Sequence, residues 1–263
     1  MKNLWKKIIF CFLISIIAVY ALAQTSNPAS DFRYQITRDG SGVLITGYIG
    51  SVVEVVIPTV IEGFPVKEIM GFENNTSITS VIIPEGITTI SKNAFKNATG
   101  LISIIIPDTI TTIGEEAFYG TSSLRSITLP NSIHSIGSQA FRESGLNSIS
   151  WPALVTTIGS WMFHDAKNLQ TVQIPEGIVR IGNRAFMNSG LTDINLPSTI
   201  RHINEGAFGY CRSLISVNIP DTVRNIEFYK PQTLFEAHPF DSSNNINLAS
   251  QARLRQLGYL GNF

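Results

Sequence analysis

The sequence has little cysteine, little charge and no excess of charge of either sign. Of its 263 residues, 2 are cysteines and 14% are charged, and the 19 basic residues equal the 19 acidic residues in number. Bulk attraction to nucleic acid or to an anionic membrane needs a strong basic excess. This composition therefore predicts no nucleic-acid partner.

The sequence also lacks the short motifs that accompany common chemistry. No P-loop, G-x-G-x-x-G, C-x-x-C or G-x-S-x-G pattern occurs. The four histidines are scattered, and His134 and His202 lie three repeats apart, about 14 Å at the spacing of parallel strands, which is too far to share a metal ion. We therefore predict a protein that is not an enzyme, with no catalytic, cofactor or metal site. A hydrolase built on the same framework is the alternative from another class.

The N-terminus combines a basic start with a short apolar run. Lys2, Lys6 and Lys7 precede the apolar stretch 8–20, and residues 21–23 read Ala-Leu-Ala. This order is typical of a secretory signal peptide with a small-residue cleavage site. The apolar run is short for a membrane-spanning helix. We predict export to the periplasm, the outer surface or the medium, and no transmembrane segment after the signal is removed.

What the chain does have is a repeat, which reads L-x-x-I-x-I-P, three residues, I-x-x-I-G, three residues, A-F. It is clearest from Leu101 to Phe118. The recurring prolines are Pro58, Pro84, Pro107, Pro130, Pro152, Pro175, Pro197 and Pro220. A fixed period in the range of roughly 20–29 residues with this apolar spacing is typical of a leucine-rich repeat solenoid.

The repeat predicts a β-rich solenoid with one short parallel strand in each repeat of 22–23 residues and short helical or 3-10 turns. Leu101, Ile104 and Ile106 point inward on the strand, and Pro107 ends the pairing because proline has no N–H group. The A-F phenylalanines, from Phe95 to Phe208, are expected to stack as an aromatic spine. The glycines of the I-x-x-I-G element are expected to have positive φ. They are Gly114, Gly137, Gly159 and Gly182.

The predicted organisation is a single solenoid domain with an element at each end. The segments are a signal peptide (1–23), a flexible leader (24–30), an N-terminal hairpin cap (31–51), a solenoid of about eight repeats (52–226) and a C-terminal cap (227–263). The first repeat carries a protruding turn at Glu62–Pro65, and the last loses its A-F element. A short helix is expected from Leu248 to Leu257, stopped by Gly258.

The repeat resembles the BspA-like, treponemal-type leucine-rich repeat family of bacterial exported and surface proteins. The resemblance rests on Leu124–Pro130 (L-R-S-I-T-L-P), on Ile113–Gly120 (I-G-E-E-A-F-Y-G) and on Cys211, and it covers residues 31–263. It implies a role in binding at the cell surface or in the medium, such as adhesion. Function belongs to sites and not to folds, so the variable positions have to supply it.

Cys211 is the only cysteine left once the signal is removed, so no intramolecular disulfide is possible. It takes the place of Ala98, Thr121 and Ala166 in other repeats, and we predict a small buried residue. A reactive thiol is the alternative.

The candidate binding surface consists of outward residues along the main strands. They are Ser126, Thr128, Ser148, Ser150, Thr171, Gln173, Asp193 and Asn195. A flat ladder of small polar groups suits a protein or glycan partner, and an ordinary solvated β-face is the competing interpretation. We expect a monomeric, non-enzymatic binding protein, with a periplasmic scaffold as the alternative.

Two further features are candidates for the same role. Arg180, Arg201 and Arg224 fall in three successive repeats and form a possible basic stripe for an acidic ligand. Solvated edge charges are the other interpretation. Trp161 stands in a column that should be exposed, where it is either an interface residue or folded over the neighbouring turn. In the same repeat, Trp151 takes an inward position and Met162 is expected to compensate in the core.

Overall fold

The structure is a computed structural model that describes residues 25–224, 226–228, 240, 243 and 245–259. The predicted signal peptide (1–23) lies outside the described residues, as do residues 229–239 of the predicted C-terminal cap. In the described part of the chain, no helix has the length and hydrophobicity that a membrane span requires.

The described residues form short strands, one α-helix and one 3-10 turn (Ala29–Asp31). The strands are β1 (Phe32–Ile36), β2 (Val43–Tyr48), β3 (Glu54–Val56), β4 (Val60–Ile61), β5 (Phe64–Ile69), β6 (Ser80–Ile82), β7 (Thr89–Ile90), β8 (Ser103–Ile105), β9 (Thr112–Ile113), β10 (Ser135–Ile136), β11 (Ser148–Ser150), β12 (Thr157–Ile158), β13 (Thr171–Gln173), β14 (Arg180–Ile181), β15 (Asp193–Asn195), β16 (His202–Ile203), β17 (Ser216–Asn218) and β18 (Glu227–Phe228). The helix is α1 (Leu248–Gln256).

Two parallel ladders run along the solenoid, and they confirm the predicted architecture. The main ladder joins β3-β6-β8, then β11-β13, then β15-β17. The second ladder joins β2-β5-β7-β9-β10, then β12-β14-β16-β18. The main strands bury their central residue, such as Val81, Ile149 or Ile194, except in β8, where Ile104 is half-buried, because side chains alternate between the two sides of a strand.

The repeat at Leu124 differs from the prediction of one main strand per repeat. Ile127 is buried there, while Ser126 and Thr128 are exposed, yet these residues form no strand. The alternation of burial follows from the side chains, which the sequence shows. A strand also requires a series of hydrogen bonds between neighbouring backbones. The Asn147 N–H donates to the Arg125 carbonyl at 3.0 Å and joins this repeat to the next, but no strand pairing forms on either side.

The A-F segments are successive turns rather than helices. Each phenylalanine from Phe72 to Phe186 donates its N–H group to the carbonyl of the residue before the next phenylalanine, at 2.7–3.1 Å. Bonds within the turn alternate with these, as in Lys96 N–H to the Asn93 carbonyl at 3.0 Å. In a third set of bonds, the residue two positions after each phenylalanine donates its N–H group to the next turn, as Asn97 does to the Tyr119 carbonyl at 2.7 Å. This side of the solenoid is therefore bonded without a break.

The positive-φ residues are not the glycines that the sequence suggested. Each A-F turn has two residues with left-handed φ. One stands directly before A-F or its equivalent, as do Glu116 (φ 56°) and Gln139 (φ 62°), and the other stands two residues after the phenylalanine. Gly114 and Gly137 do not have positive φ, and neither do Gly159 and Gly182. A Cβ atom on Gly137 would lie 2.3 Å from the Glu115 nitrogen, so that glycine allows two turns to stack closely.

The aromatic spine is present and is longer than predicted. Neighbouring rings from Tyr48 through Phe208 to Phe240 stack at centroid distances of 4.9–5.7 Å. The prediction that the last repeat loses its A-F element is wrong for the phenylalanine. Phe240 takes that position in the spine, although it lies 32 residues after Phe208 and not 22 or 23. Tyr259 packs edge-on against Phe240 at 5.4 Å.

The N-terminal hairpin is present, with β1 antiparallel to β2 and β2 parallel to β5. The protruding turn is also present, where Glu62 and Gly63 have positive φ between the antiparallel strands β4 and β5. The leader differs from the expected flexible segment. Asn27 donates its N–H group to the Val56 carbonyl at 2.9 Å and accepts the Val56 N–H on Oδ1 at 2.8 Å, so it pairs the free edge of β3.

The C-terminal helix begins and ends close to the predicted residues. Asn247 caps α1 by accepting the Ser250 N–H at 2.9 Å, and Gly258 follows with φ 96°. Leu254 is buried, whereas Leu248 is 82% exposed. The helix therefore buries its apolar side chains only towards its C-terminal end.

Candidate functional site

The candidate residues on the main ladder all point to solvent. The main face is the set of outward residues on the main strands, together with the equivalent residues of the unpaired Leu124 repeat. Ser126, Thr128, Ser148, Ser150, Thr171, Gln173, Asp193 and Asn195 are all exposed. The structure therefore places these predicted candidates on one face, and their part in binding stays a prediction.

The strand register aligns these residues in two columns. Ser148 lies opposite Thr171 and Ser150 opposite Gln173. In the next pair of strands, Asp193 lies opposite Ser216 and Asn195 opposite Asn218. The columns therefore bring small polar groups of successive turns side by side.

Hydrogen bonds link some neighbours within the columns. The Ser216 hydroxyl donates to Asp193 at 2.5 Å, and the Asn218 amide donates to Asn195 Oδ1 at 2.7 Å. Asn195 accepts this bond on Oδ1, and its side-chain NH2 group is a further donor that a ligand can use.

The main ladder is interrupted, unlike the turn side. The residue before the proline donates its N–H group to the next turn at Ile57, Ile83, Trp151 and Leu196. Among the described residues, Ile106, Leu129, Ile174 and Ile219 make no such bond, and these four are half-buried where the four that bond are buried. Ile219 lies at the end of the main ladder, whereas Ile106, Leu129 and Ile174 lie at its interruptions, where backbone donors are unused and the core is less covered.

Two shallow clefts lie in the C-terminal half of the main face. The first, of about 430 Å³, lies at the interruption between β13 and β15 and is lined by Thr171, Gln173, Asp193 and Asn195. The second, of about 490 Å³, lies between the end of the main ladder and α1. The predicted residues Asn195 and Gln173 therefore border concave surface as well as a flat ladder.

The second cleft is built by α1. Ser250 is buried and accepts the Val217 N–H at 3.0 Å, so the helix covers the last main strand. Arg253 lines the cleft and donates to the Val223 carbonyl at 2.7 Å. Asp221 and Asn218 line the same cleft. This places an acidic residue of the proline turn beside the amides of the main face.

The sequence prediction missed the carboxylates that follow the prolines. Glu85, Asp108, Glu176 and Asp221 are exposed at the corner directly after the main strand. Glu176 accepts the Ser198 N–H at 3.1 Å and the Ser198 hydroxyl at 2.8 Å, and these hydrogen bonds lower the pKa of its carboxyl group. The signal in the sequence was their recurrence after proline, which indicates a common place in the fold as well as a turn.

Trp161 is half-buried and not the exposed residue that its column suggested. The guanidinium carbon of Arg184 lies 4.8 Å from the Trp161 ring centre, and that of Arg142 lies 5.3 Å away. Its φ of 59° is in the left-handed region, which costs a bulky residue about 1–3 kcal/mol. Of the two predictions for Trp161, the geometry favours a ring folded among neighbouring turns.

Trp161 belongs to a continuous chain of contacts that we call the turn face. The residues of the turn face are Lys96, Glu116, Tyr119, Arg142, Glu143, Trp161, Arg184 and Glu205. Lys96 contacts Glu116 at 2.5 Å, and Arg184 contacts Glu205 at 2.8 Å. Arg142 lies 5.4 Å from the ring centre of Tyr119, whose hydroxyl donates to Glu143 at 3.0 Å. The charges of this surface are therefore largely used within the protein.

The three arginines of the predicted stripe lie in successive turns but not in one column. The register pairs Arg180 with His202, which contacts Glu227 at 2.9 Å. Arg201 donates to its own turn at the carbonyls of Ser198 and Ile200. Arg224 is exposed. Along the Arg180 column, the next two side chains are thus a histidine and a carboxylate. This column is therefore not a basic stripe that favours an acidic ligand.

The remaining candidates for chemistry are structural. Cys211 is fully buried, its thiol lies 3.0 Å from the Phe186 carbonyl, and burial raises its pKa to about 11. The predicted small buried residue is confirmed. Trp151 and Met162 are buried as expected. Within the described residues, no group of three or more metal-ligating side chains could hold an ion.

The fold and the repeats together define a leucine-rich repeat solenoid. The chain matches the BspA type leucine rich repeat region, with 6 copies, over residues 68–189 and 134–246. Because these matches cover more than half of the chain, the protein belongs to the BspA type leucine-rich repeat family. The resemblance of the sequence is thereby confirmed.

Solved structures of bacterial leucine-rich repeat proteins are similar to the chain. A leucine-rich repeat protein of T. pallidum is 26% identical with a TM-score of 0.61, covering 91% of this chain and 99% of that one. A leucine-rich cell surface protein of Faecalibacterium prausnitzii is 30% identical with a TM-score of 0.66, covering 74% of this chain and 55% of that one. A Bacteroides ovatus protein, 21% identical with a TM-score of 0.53, shares the fold over 74% of this chain and 76% of its own. Among curated proteins no match is found.

Proposed function

We propose that this protein is an exported, non-enzymatic binding protein that docks a protein or glycan partner on its main face. The observation that carries the proposal is the contrast in hydrogen bonding along the molecule. The turn side is bonded at every junction, whereas Ile106, Leu129 and Ile174 keep unused backbone donors beside exposed hydroxyl and amide side chains. Unused polar groups on a preformed surface are available to a partner.

Export and a place at the cell surface are part of the proposal. The basic start and apolar run of residues 1–23 support export, and the similar F. prausnitzii protein is described as a cell surface protein. Adhesion is the form of binding that these two observations favour over a periplasmic scaffold.

Site-directed photo-crosslinking on intact producing cells tests the proposal. A photoreactive phenylalanine at Ser150 lies on the main face, and one at Thr156 lies on an exposed corner of the same repeat. We expect a crosslinked partner from position 150 and none from position 156. The crosslink at 150 should disappear when Thr128→Trp adds bulk to the neighbouring outward position.

Two results would contradict the proposal. Equal crosslinking from both positions would show that the main face has no special role. A partner that crosslinks from position 156 alone would place binding elsewhere on the solenoid.

A further inference from the structure

The charges of this protein are divided between its two sides. The six ion pairs among the described residues all lie on the turn side or the second ladder: Lys92–Glu115, Lys96–Glu116, Arg142–Glu143, His164–Asp165, Arg184–Glu205 and His202–Glu227. Most charges of the turn face are therefore matched by an opposite charge nearby, whereas Arg180, Arg201 and Arg224 on the second ladder form no ion pair with another described residue.

The main face and its proline corners carry unmatched negative charge. Their carboxylates are Glu54, Glu85, Asp108, Glu176, Asp193 and Asp221, all of them exposed. None of the six forms an ion pair with another described residue. Two arginines border this face, and both donate to backbone carbonyls: Arg125 to Gly145 at 3.1 Å, and Arg253, which lines the cleft with Asp221, to Val223 at 2.7 Å. The face therefore carries an excess of negative charge, with six exposed carboxylates and these two arginines.

Two of these carboxylates stand beside unused backbone donors. Asp108 follows Ile106 by two residues, and Glu176 follows Ile174 by two residues. The N–H groups of Ile106 and Ile174 have no partner in the described part of the chain, and each lies at an interruption of the main ladder. Each place thus combines a backbone N–H group that can donate to a carbonyl with a carboxylate that attracts a cationic side chain.

We propose, resting on the proposed function, that the partner presents a lysine- and arginine-rich extended segment to the main face. The carbonyl groups of such a segment match the free N–H groups, and its cationic side chains match the carboxylates. The hydroxyls of Ser126, Thr128 and Ser148 lie between the carboxylates of the first repeats, which end at Asp108, and those of the last repeats, which begin at Glu176. The cleft beside Asp193 and the cleft beside Asp221 add concave surface at the C-terminal end.

Fluorescence anisotropy with defined peptides tests this inference on the mature protein. The probe is a fluorescein-labelled peptide of alternating lysine and serine, and a glutamate–serine peptide is the comparison. We expect the lysine peptide to bind and the glutamate peptide to show no binding. Affinity for the lysine peptide should fall at least several-fold as ionic strength rises from about 0.01 M to about 0.15 M, because the Debye length shortens from about 30 Å to about 8 Å.

Matched charge variants locate the site. Asp108→Asn with Asp221→Asn removes two carboxylates from the proposed surface, and Glu62→Gln with Glu73→Gln removes two exposed carboxylates elsewhere. Since an exposed ion pair contributes about 0.2–1 kcal/mol, the first double variant should bind the lysine peptide roughly two- to thirty-fold more weakly. The second should bind as the unmodified protein does.

Three outcomes would overturn the inference. Equal weakening by both double variants would mean that binding follows net charge and not this face. Binding that requires added calcium would make the carboxylates cation ligands. A partner that crosslinks from position 150 but is insensitive to Asp108→Asn with Asp221→Asn would refute the basic segment while leaving the proposed function intact, whereas loss of position-specific crosslinking would refute the proposed function itself.

Discussion

The turn face and the main face are made by the same repeats but differ in how completely their polar groups are used. On the turn face, backbone bonds cross every junction from Phe72 to Phe208, and acids, bases and aromatic rings contact one another. On the main face, the ladder is interrupted and the carboxylates are unpaired. The first arrangement stabilises the stack of turns, and the second leaves groups available for a partner.

The difference indicates which positions carry stability and which are available for function. Residues of the turn face accept conformational strain, such as the positive φ of Glu116 and Trp161, because the bonds between turns offset it. On the main face, side-chain hydrogen bonds between turns occur at some neighbours, such as Asp193 with Ser216, and the ion pairs and ring contacts of the turn face are absent among the described residues. Mutations on the two sides should therefore separate into effects on folding and effects on binding.

The largest expected effect comes from the aromatic spine beneath the turn face. Phe141→Ala removes a fully buried ring that stacks on Phe118 and Phe163, and the free energy of unfolding should fall by about 3–5 kcal/mol. Ser148→Ala on the main face should change it by less than about 0.5 kcal/mol. Denaturant unfolding followed by circular dichroism measures both. Similar decreases in the free energy of unfolding for the two variants would contradict the proposed difference between the two sides.

A smaller effect should separate two glycines of the same column. The new Cβ of Gly137→Ala would meet the Glu115 backbone nitrogen at 2.3 Å, whereas that of Gly159→Ala would meet the end of the Met162 side chain at 3.1 Å. Crowding against backbone forces neighbouring turns apart, so Gly137→Ala should cost about 1–3 kcal/mol. Gly159→Ala should cost clearly less, because the methionine can move. Thermal unfolding ranks the pair, and the reverse order would contradict close stacking as the reason for these glycines.

The smallest expected effect concerns the strain at Trp161. Trp161→Gly and Trp161→Ala both remove the ring from between Arg142 and Arg184, but only glycine adopts positive φ without a steric penalty. The glycine variant should therefore be more stable than the alanine variant by about 0.5–1 kcal/mol. Equal stabilities in denaturant unfolding would show that position 161 relaxes to ordinary φ once the ring is gone.

Much of this architecture could be predicted from the period of the repeat. Apolar residues that recur at fixed spacing predict the inward isoleucines, the stacked phenylalanines and the buried Cys211, because burial in a solenoid repeats with each turn. The exposure of Ser148 and Gln173 follows in the same way from alternation along a strand. These features depend on local pattern and are visible without coordinates.

The place of Phe240 in the spine could not be predicted, because an insertion of unrelated sequence separates it from Phe208. The same limit applies to the end of the second ladder, where the register pairs His202, five residues after Pro197, with Glu227, seven residues after Pro220. Both depend on which segments come to lie side by side, and spacing along the chain does not measure that once a repeat changes length.

By itself, the sequence determined a leucine-rich repeat solenoid, its inward residues and the side on which variable polar residues stand. It could do so because hydrophobic burial acts on each repeat in the same way. Only the tertiary structure decided which backbone donors remain unused, at Ile106, Leu129 and Ile174, and which carboxylates lack a partner. Hydrogen bonds and ion pairs form between turns over distances of a few ångströms, and those distances are set by how the whole stack packs.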